Sequence, residues 1–178
     1  ALFVLNLQQG SKNINKLFFN SIFCIHKSVK EILKKENEFK KIAKKLVDTK
    51  SIFYIGRGAM YPIALEGALK LKEITYKHCE GYAAGELKHG PLALIENNIP
   101  VIVLAPFDEN YSKLLSNIQE VKARGGRIIM ITDRDGAKKV KKYFDQIVII
   151  PKTNFLTSPI LYSIPVQLIA YYLAVFLG

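Results

Sequence analysis

Between residues 51 and 150 the chain alternates short apolar runs with longer amphipathic ones. SIFYI (51–55), PVIVLA (100–105), RIIMIT (127–132) and QIVII (146–150) are apolar on consecutive positions, rich in branched residues and bounded by Gly, Pro or charged residues. Runs without period-2 alternation read as strands buried on both faces of a sheet. Between them the pattern predicts helices over 61–77, 111–124 and, short and basic, 137–143. Pro62 falls in the first turn of the first helix, where a missing N–H costs nothing. Gly125-Gly126 stops the second. Pro159 opens a long final helix. Four strands separated by helices predict an α/β fold, a three-layer α-β-α sandwich on a mostly parallel sheet with right-handed crossovers. A ligand site then belongs outside the carboxyl ends of the strands, in loops that begin at Gly56, Ala105, Thr132 and Pro151.

The first 50 residues have a different texture. ALFVLNLQQ reads as the end of a helix, and Gly10-Ser11 as a helix stop followed by a fresh N-cap. From 13 to 46 the pattern is helical with a break near Asn37. A helical arm of this length ahead of any strand suggests a connector. The expected organisation is the end of a preceding domain over 1–10, a helical connector over 11–50 and an α/β domain over 51–178, all part of a longer protein.

Composition narrows the class. With 178 residues, 49% hydrophobic and 23% charged, the chain is globular and can build a core without staples. The net charge of +11 raises the question of nucleic acid. Residues 1–50 carry 11 lysines against Glu31, Glu36, Glu38 and Asp48, and no arginine. The lysines fall in doublets (34–35, 40–41, 44–45) around an apolar stripe of Ile32, Leu33, Phe39, Ile42, Ala43 and Leu46. That is the pattern of a solvated helix face, and the scarcity of arginine argues against a phosphate or base reader. Cys24 and Cys79 lie far apart with no CxxC, so neither a disulfide framework nor a zinc site is indicated. No leader pattern opens the chain, and Ser163, Pro165 and Gln167 interrupt the most apolar stretch. The expectation is a soluble, reduced, cytoplasmic protein.

Three features carry candidate chemistry. Gly56-Arg57-Gly58 sits between a strand and a helix, where it serves either as a tight turn or as an anion-binding turn with Arg57 as the cation. On the next helix Glu66, Lys70 and Glu73 are spaced i, i+4, i+7 and share one face. Most other positions of that helix are apolar, so the stripe is expected in a partly buried place. It is either a self-satisfied ion-pair ladder or a carboxylate poised beside a lysine as a general base. Third, CEGYAAGELKHGPLALI sets Gly81, Gly85 and Gly90 around Glu86, Lys88 and His89. Such a convoluted loop on a rigid sheet is a place for function. His26 and His78 carry no comparable context, and both cysteines read as small hydrophobes.

The run GRGAMYPIALEGALKLKEITYKHCEGYAAGELKHGPLALI resembles the isomerase part of the glutamine–fructose-6-phosphate aminotransferase family, also called glucosamine-6-phosphate synthases. ALEGALKLKE and AAGELKHGPLALI are its most specific segments, and the likeness continues through PVIVLAP, VKARGG and SPILYSIPVQLIAYYLA. It covers about residues 52–178. Members carry two sugar-isomerase (SIS) domains after a glutaminase, and this chain resembles the second SIS domain with the helices before it.

The resemblance implies roles residue by residue. Glu73 matches the carboxylate that moves a proton between C1 and C2 of the sugar, and Lys70 matches a lysine of the same site. His89 matches a histidine that assists ring opening from the neighbouring subunit. Arg57 and Glu66 are candidate substrate-binding positions, Glu66 as an orienter of Lys70. The implied reaction is aldose–ketose isomerisation of fructose 6-phosphate within the synthesis of glucosamine 6-phosphate from glutamine, in a homodimer, with no metal or organic cofactor and no role for nucleic acid or membrane. Three departures qualify it. The turn Ala105-Pro106-Phe107 lacks the hydroxyls of the family's sugar-phosphate loop, which lies in the first SIS domain. The imine-forming lysine is expected beyond Gly178, and the glutaminase with its nucleophilic cysteine is missing. The chain alone is therefore expected to be inactive. The alternatives are a regulatory SIS domain that binds a sugar phosphate, or a stand-alone phosphosugar isomerase. The regulatory kind usually keeps the serine-rich loop and loses the acid, the reverse of the pattern here.

Overall fold

A computed structural model describes residues 12–140, 144 and 146–178, with side chains from residue 20 onward. Two helices come first, α1 (Lys12–Leu33) and α2 (Glu36–Leu46). The sheet domain follows as β1 (Ser51–Gly56), α3 (Met60–Thr75), β2 (His78–Ala83), two 3-10 turns (Ala84–His89 and Pro91–Leu94), β3 (Pro100–Ala105), α4 (Tyr111–Ala123), β4 (Arg127–Thr132), α5 (Arg134–Val140), β5 (Gln146–Ile149) and α6 (Ser158–Leu177). All four strand pairings are parallel, in the order β2-β1-β3-β4-β5.

The strands supply both cores at once because successive side chains point to opposite faces. Ile52, Tyr54, Ile102, Leu104, Ile129 and Ile131 face a core closed by α2, α3 and α6. Phe53, Ile55, Val101, Val103, Ile128 and Met130 face the other, covered by α4, α5 and the first 3-10 turn. The three-layer α/β sandwich expected from the strand pattern is present.

Three details differ from the sequence expectation. The sheet has five strands, and the missed one is HCEGYA at the edge. Only Cys79 and Gly81 of it are buried, so it lacks the continuous apolar run that marked the others. The helical arm breaks at Lys34–Lys35, before Asn37, through the turn bond from the Lys35 N–H to the Ile32 carbonyl. The break re-aims α2 so that Phe39, Ile42, Ala43 and Leu46 are fully buried with α6. The final helix runs unbroken through Pro165, and by length and composition alone it is apolar enough to cross a membrane. Here Leu161, Tyr162, Val166, Ile169, Ala170 and Leu173 bury its inner side over the sheet layer. The expected helix end at 1–9 and the stop at Gly10-Ser11 lie outside the described residues.

Candidate functional site

β1 is flanked by β2 and β3, so the order of strands reverses there and the switch point of the sheet lies at the carboxyl end of β1. The turn after β1 needs its glycines for backbone reasons. A Cβ at Gly56 would collide with the Met60 carbonyl, and Gly58 has φ +57°, in the left-handed region. Arg57 is left free of that duty. Its guanidinium lies beside Gly85, where an added Cβ would sit 3.1 Å from Nη1, and it makes no hydrogen bond or ion pair among the described residues. The anion-binding reading of this turn thus rests on one open cation next to the glycine loop.

α3 begins at that turn. Met60, Ala64, Gly67, Ala68, Leu71 and Thr75 form its buried side. Gly67 lets it approach the sheet closely, since a Cβ there would lie 2.8 Å from the Tyr54 ring and 3.0 Å from Val166 Cβ. The opposite side is open, which corrects the expectation of a buried stripe. Lys70 and Glu73 are 36% and 49% exposed, and Glu66 is half-buried. The helix looked apolar all round because Tyr61, Leu65, Leu69 and Ile74 are also apolar, yet these stay exposed beside the charged stripe. Lys70 Nζ and Glu73 Oε2 are paired at 2.5 Å. The hydrogen bond to the Glu73 carboxylate raises the Lys70 pKa, desolvation opposes it, and the charges of Glu73 and Glu66 add to the rise.

The glycine loop follows β2. Its first 3-10 turn packs against β2 and α4 and is tied to α4 by Lys88–Glu120 at 3.0 Å. Gly90, at φ +141°, turns the chain into the second 3-10 turn. His89 is 74% exposed and its Nε2 lies 4.0 Å from Glu86 Oε2. Among the described residues no hydrogen bond or ion pair joins His89 to Lys70 or Glu73. The fold therefore brings Lys70, Glu73 and Glu66 together on one helix face and sets Arg57 beside Gly85. It presents His89 separately, pointing to solvent.

Sequence reasoning passed over Asp133, which is 2% exposed at the carboxyl end of β4. Its Oδ1 accepts the N–H groups of Asp135 (2.9 Å) and Gly136 (3.0 Å), and its Oδ2 accepts that of Phe107 (2.9 Å). Thr132 Oγ1 donates to the Ala105 carbonyl and Tyr111 Oη to that of Gly136, both at 2.6 Å. The available signal was an Asp directly after a strand, in N-cap position. Its effect on chemistry is negative. The backbone N–H that the turn 105–107 could offer to a phosphate is already taken by a carboxylate. Among the described residues no group of three or more His, Cys, Asp or Glu is placed to hold a metal ion.

A five-stranded parallel sheet, with Arg57 and the glycine loop after the carboxyl ends of β1 and β2 and with Lys70 and Glu73 in the last two turns of α3, defines an open α/β domain. The chain belongs to the SIS domain family, whose model matches residues 45–177. It is 51% identical over 161 residues to the glutamine–fructose-6-phosphate aminotransferase (isomerizing) of Bartonella henselae, which covers 90% of this chain and 26% of that protein. The C-terminal domain of glucosamine-fructose-6-phosphate aminotransferase from Francisella tularensis superposes with TM-score 0.86 at 40% identity, over 90% of this chain and 45% of that one. Tagatose-6-phosphate ketose/aldose isomerase from Escherichia coli shares the fold, with TM-score 0.69 at 20% identity over 85% of this chain and 43% of that one. The chain thus spans about a quarter of the length of the curated relatives it matches.

Proposed function

We propose that the chain is the second SIS domain, with its preceding helices, of an enzyme that makes glucosamine 6-phosphate from fructose 6-phosphate and glutamine. The observation that carries the reading is the Lys70–Glu73 pair, held on the open side of a helix whose other side is locked into the core. In this reading Glu73 is the base that takes a proton from one carbon of the open-chain sugar and returns it to the neighbouring one. Lys70 orients that carboxylate through its hydrogen bond, and Glu66 orients Lys70. Arg57 is a substrate-binding residue beside the glycine loop, and His89 assists ring opening across a subunit boundary. Its exposure, with no partner from the α3 stripe, suits a residue that serves a second copy.

Asp133 supports a division of labour. A carboxylate bonded to the Phe107 N–H leaves this domain's own crevice poorly suited to a phosphate, so the phosphate clamp belongs elsewhere in the protein. That favours a shared active site over a stand-alone isomerase or a regulatory domain, and leaves this chain with a base and no clamp for the sugar. The exposed apolar row Tyr61, Leu65 and Leu69 beside the charged stripe suits a homodimer that covers this face, in the cytoplasm, with neither nucleic acid nor membrane as partner. A strict monomer in sedimentation at micromolar concentration would remove the dimer from the reading.

The test of the function is Glu73→Gln in the intact enzyme. Isomerisation falls by ~10²- to 10⁴-fold with sugar-phosphate binding nearly unchanged, the usual contribution of a positioned base. A variant that kept more than about a tenth of its activity would defeat the assignment, because a base worth only tenfold is not the main proton carrier.

A further inference from the structure

The first 3-10 turn, Ala84–His89, repeats every three residues, so its side chains form three columns about 120° apart. Ala84 and Leu87 make up one column, both without solvent exposure and packed in the core that α4 covers. Glu86 and His89 make up the second, both open to water. Lys88 stands in the third, above Gly85, and reaches α4, where its ammonium pairs with Glu120 Oε1 at 3.0 Å. The ends of the turn supply no comparable hold. Its N-terminus has no side-chain cap, Gly90 has open space around it, and no residue of the second 3-10 turn is fully buried.

The Glu120 end of this ion pair is the more enclosed one, 26% exposed against 63% for Lys88. Its second oxygen, Oε2, is buried and accepts no hydrogen bond. Asn117 Oδ1, one turn earlier on the same flank of α4, is likewise buried without a donor. This flank therefore has more acceptors than donors, and the Lys88 ammonium offsets them. An ion pair in open water forms and breaks at little cost. A carboxylate with one oxygen buried and an unpaired acceptor beside it keeps its cation, because losing it leaves charge unpaired away from water.

From this geometry we infer that Glu120 is a positioning residue for His89, resting on the ring-opening role proposed for His89 above. Leu87 fixes the turn against the core but leaves it free to roll about that contact. The Lys88–Glu120 pair stops the roll. With two of the three columns anchored, the third has one direction left, and His89 is held facing outward where a second copy meets it. Glu120 touches no substrate in this arrangement; it acts through the backbone between Lys88 and His89. It serves ring opening and not the proton transfer at Glu73, since neither Lys70 nor Glu73 is bonded to α4 among the described residues.

The test is kinetic, in the intact enzyme, with two substrates. Fructose 6-phosphate must open its ring, whereas 5-deoxyfructose 6-phosphate lacks the hydroxyl that closes it and enters already open. Glu120→Ala lowers kcat for isomerisation of fructose 6-phosphate about 10- to 100-fold with KM within about twofold, the scale of a displaced acid–base group. It turns over the open analogue within about twofold of the native rate. His89→Ala shows the same split between substrates, and adding Glu120→Ala to it costs nothing further. Exchanging the pair, Lys88→Glu with Glu120→Lys, restores most of the activity that Glu120→Lys alone loses. Glu120→Ala removes an acceptor and leaves only an exposed lysine behind, so the variant folds, which circular dichroism checks; the isosteric Glu120→Gln gives the same split should it not. A Glu120 variant at the native rate on fructose 6-phosphate, one that slows both substrates alike, or an exchanged pair no more active than Glu120→Lys overturns the tether and leaves the role of His89 standing. His89→Ala at the native rate overturns that role and the tether with it. The base is read separately, from Glu73→Gln, which slows both substrates.

Discussion

Removing the Asp133 carboxylate is the sharpest way to test how the carboxyl edge is held together. Asp133 is all but inaccessible and both its oxygens are in use, two N–H groups on Oδ1 and one on Oδ2. Asp133→Ala removes an N-cap, which costs about 1 kcal/mol. It also leaves the buried Gly136 N–H without an acceptor and frees the Phe107 loop, whose bond to a carboxylate is worth about 1.5 to 3 kcal/mol. Together the loss is about 2.5 to 4 kcal/mol, a large part of the roughly 5 to 15 kcal/mol that holds a domain of this kind. In urea, followed by far-UV circular dichroism, the unfolding midpoint falls by about 1.2 to 2 M at an unchanged slope, taking a slope near 2 kcal/mol/M. Asp133→Asn keeps the Oδ1 acceptor for the cap but turns an amide N–H₂ towards the Phe107 N–H. It costs about half as much. A loss below about 1 kcal/mol for the alanine variant would show that the two loops do not depend on this carboxylate. An asparagine variant as weak as the alanine one would show that the cap is not what Oδ1 contributes.

Two further outcomes follow from the packing. Gly56→Ala drives a Cβ into the Met60 carbonyl, a backbone group that cannot swing aside, so the variant loses several kcal/mol or fails to accumulate, whereas Gly90→Ala meets no neighbouring atom and its cost is limited to backbone strain. Thermal melts in which the two variants are equally stable would contradict this. Burial pushes the Cys79 thiol up to about 12, while Cys24 is exposed. At pH 8 an alkylating reagent takes up one equivalent on the native protein and two in denaturant; two on the native protein would refute the burial. The folded pKa is raised, so the stability that protonated Cys79 contributes is complete below about pH 9 and is lost as the pH climbs towards 12.

The legible parts of the fold were those where one physical signal dominated. All six residues of PVIVLA and the last five of RIIMIT are buried, the continuous run expected of a central parallel strand. HCEGYA was illegible for the converse reason: an edge strand pairs on one side only and can carry His78, Glu80 and Tyr82 half in solvent. The i, i+4, i+7 stripe on α3 was placed on the right helix and one common face, because helical geometry alone sets that. Its exposure was misjudged because composition cannot tell an apolar residue that meets the sheet from one that waits for another surface. Asp133 was missed for a related reason, since a capping aspartate and a surface aspartate look alike in one sequence.

That misjudgement bears on how the site works. Around α3 the order is small buried residues, then the exposed row Tyr61, Leu65 and Leu69, then Glu73, Glu66 and Lys70. A lysine–carboxylate pair in open water is worth little. Covering the apolar row would remove water from one flank of the pair and leave the other free for a substrate. The same lysine and carboxylate would then attract more strongly in a lower dielectric, without any change in their own geometry. On the function proposed above, the half-exposed leucines would be the surface through which a second body strengthens this ion pair.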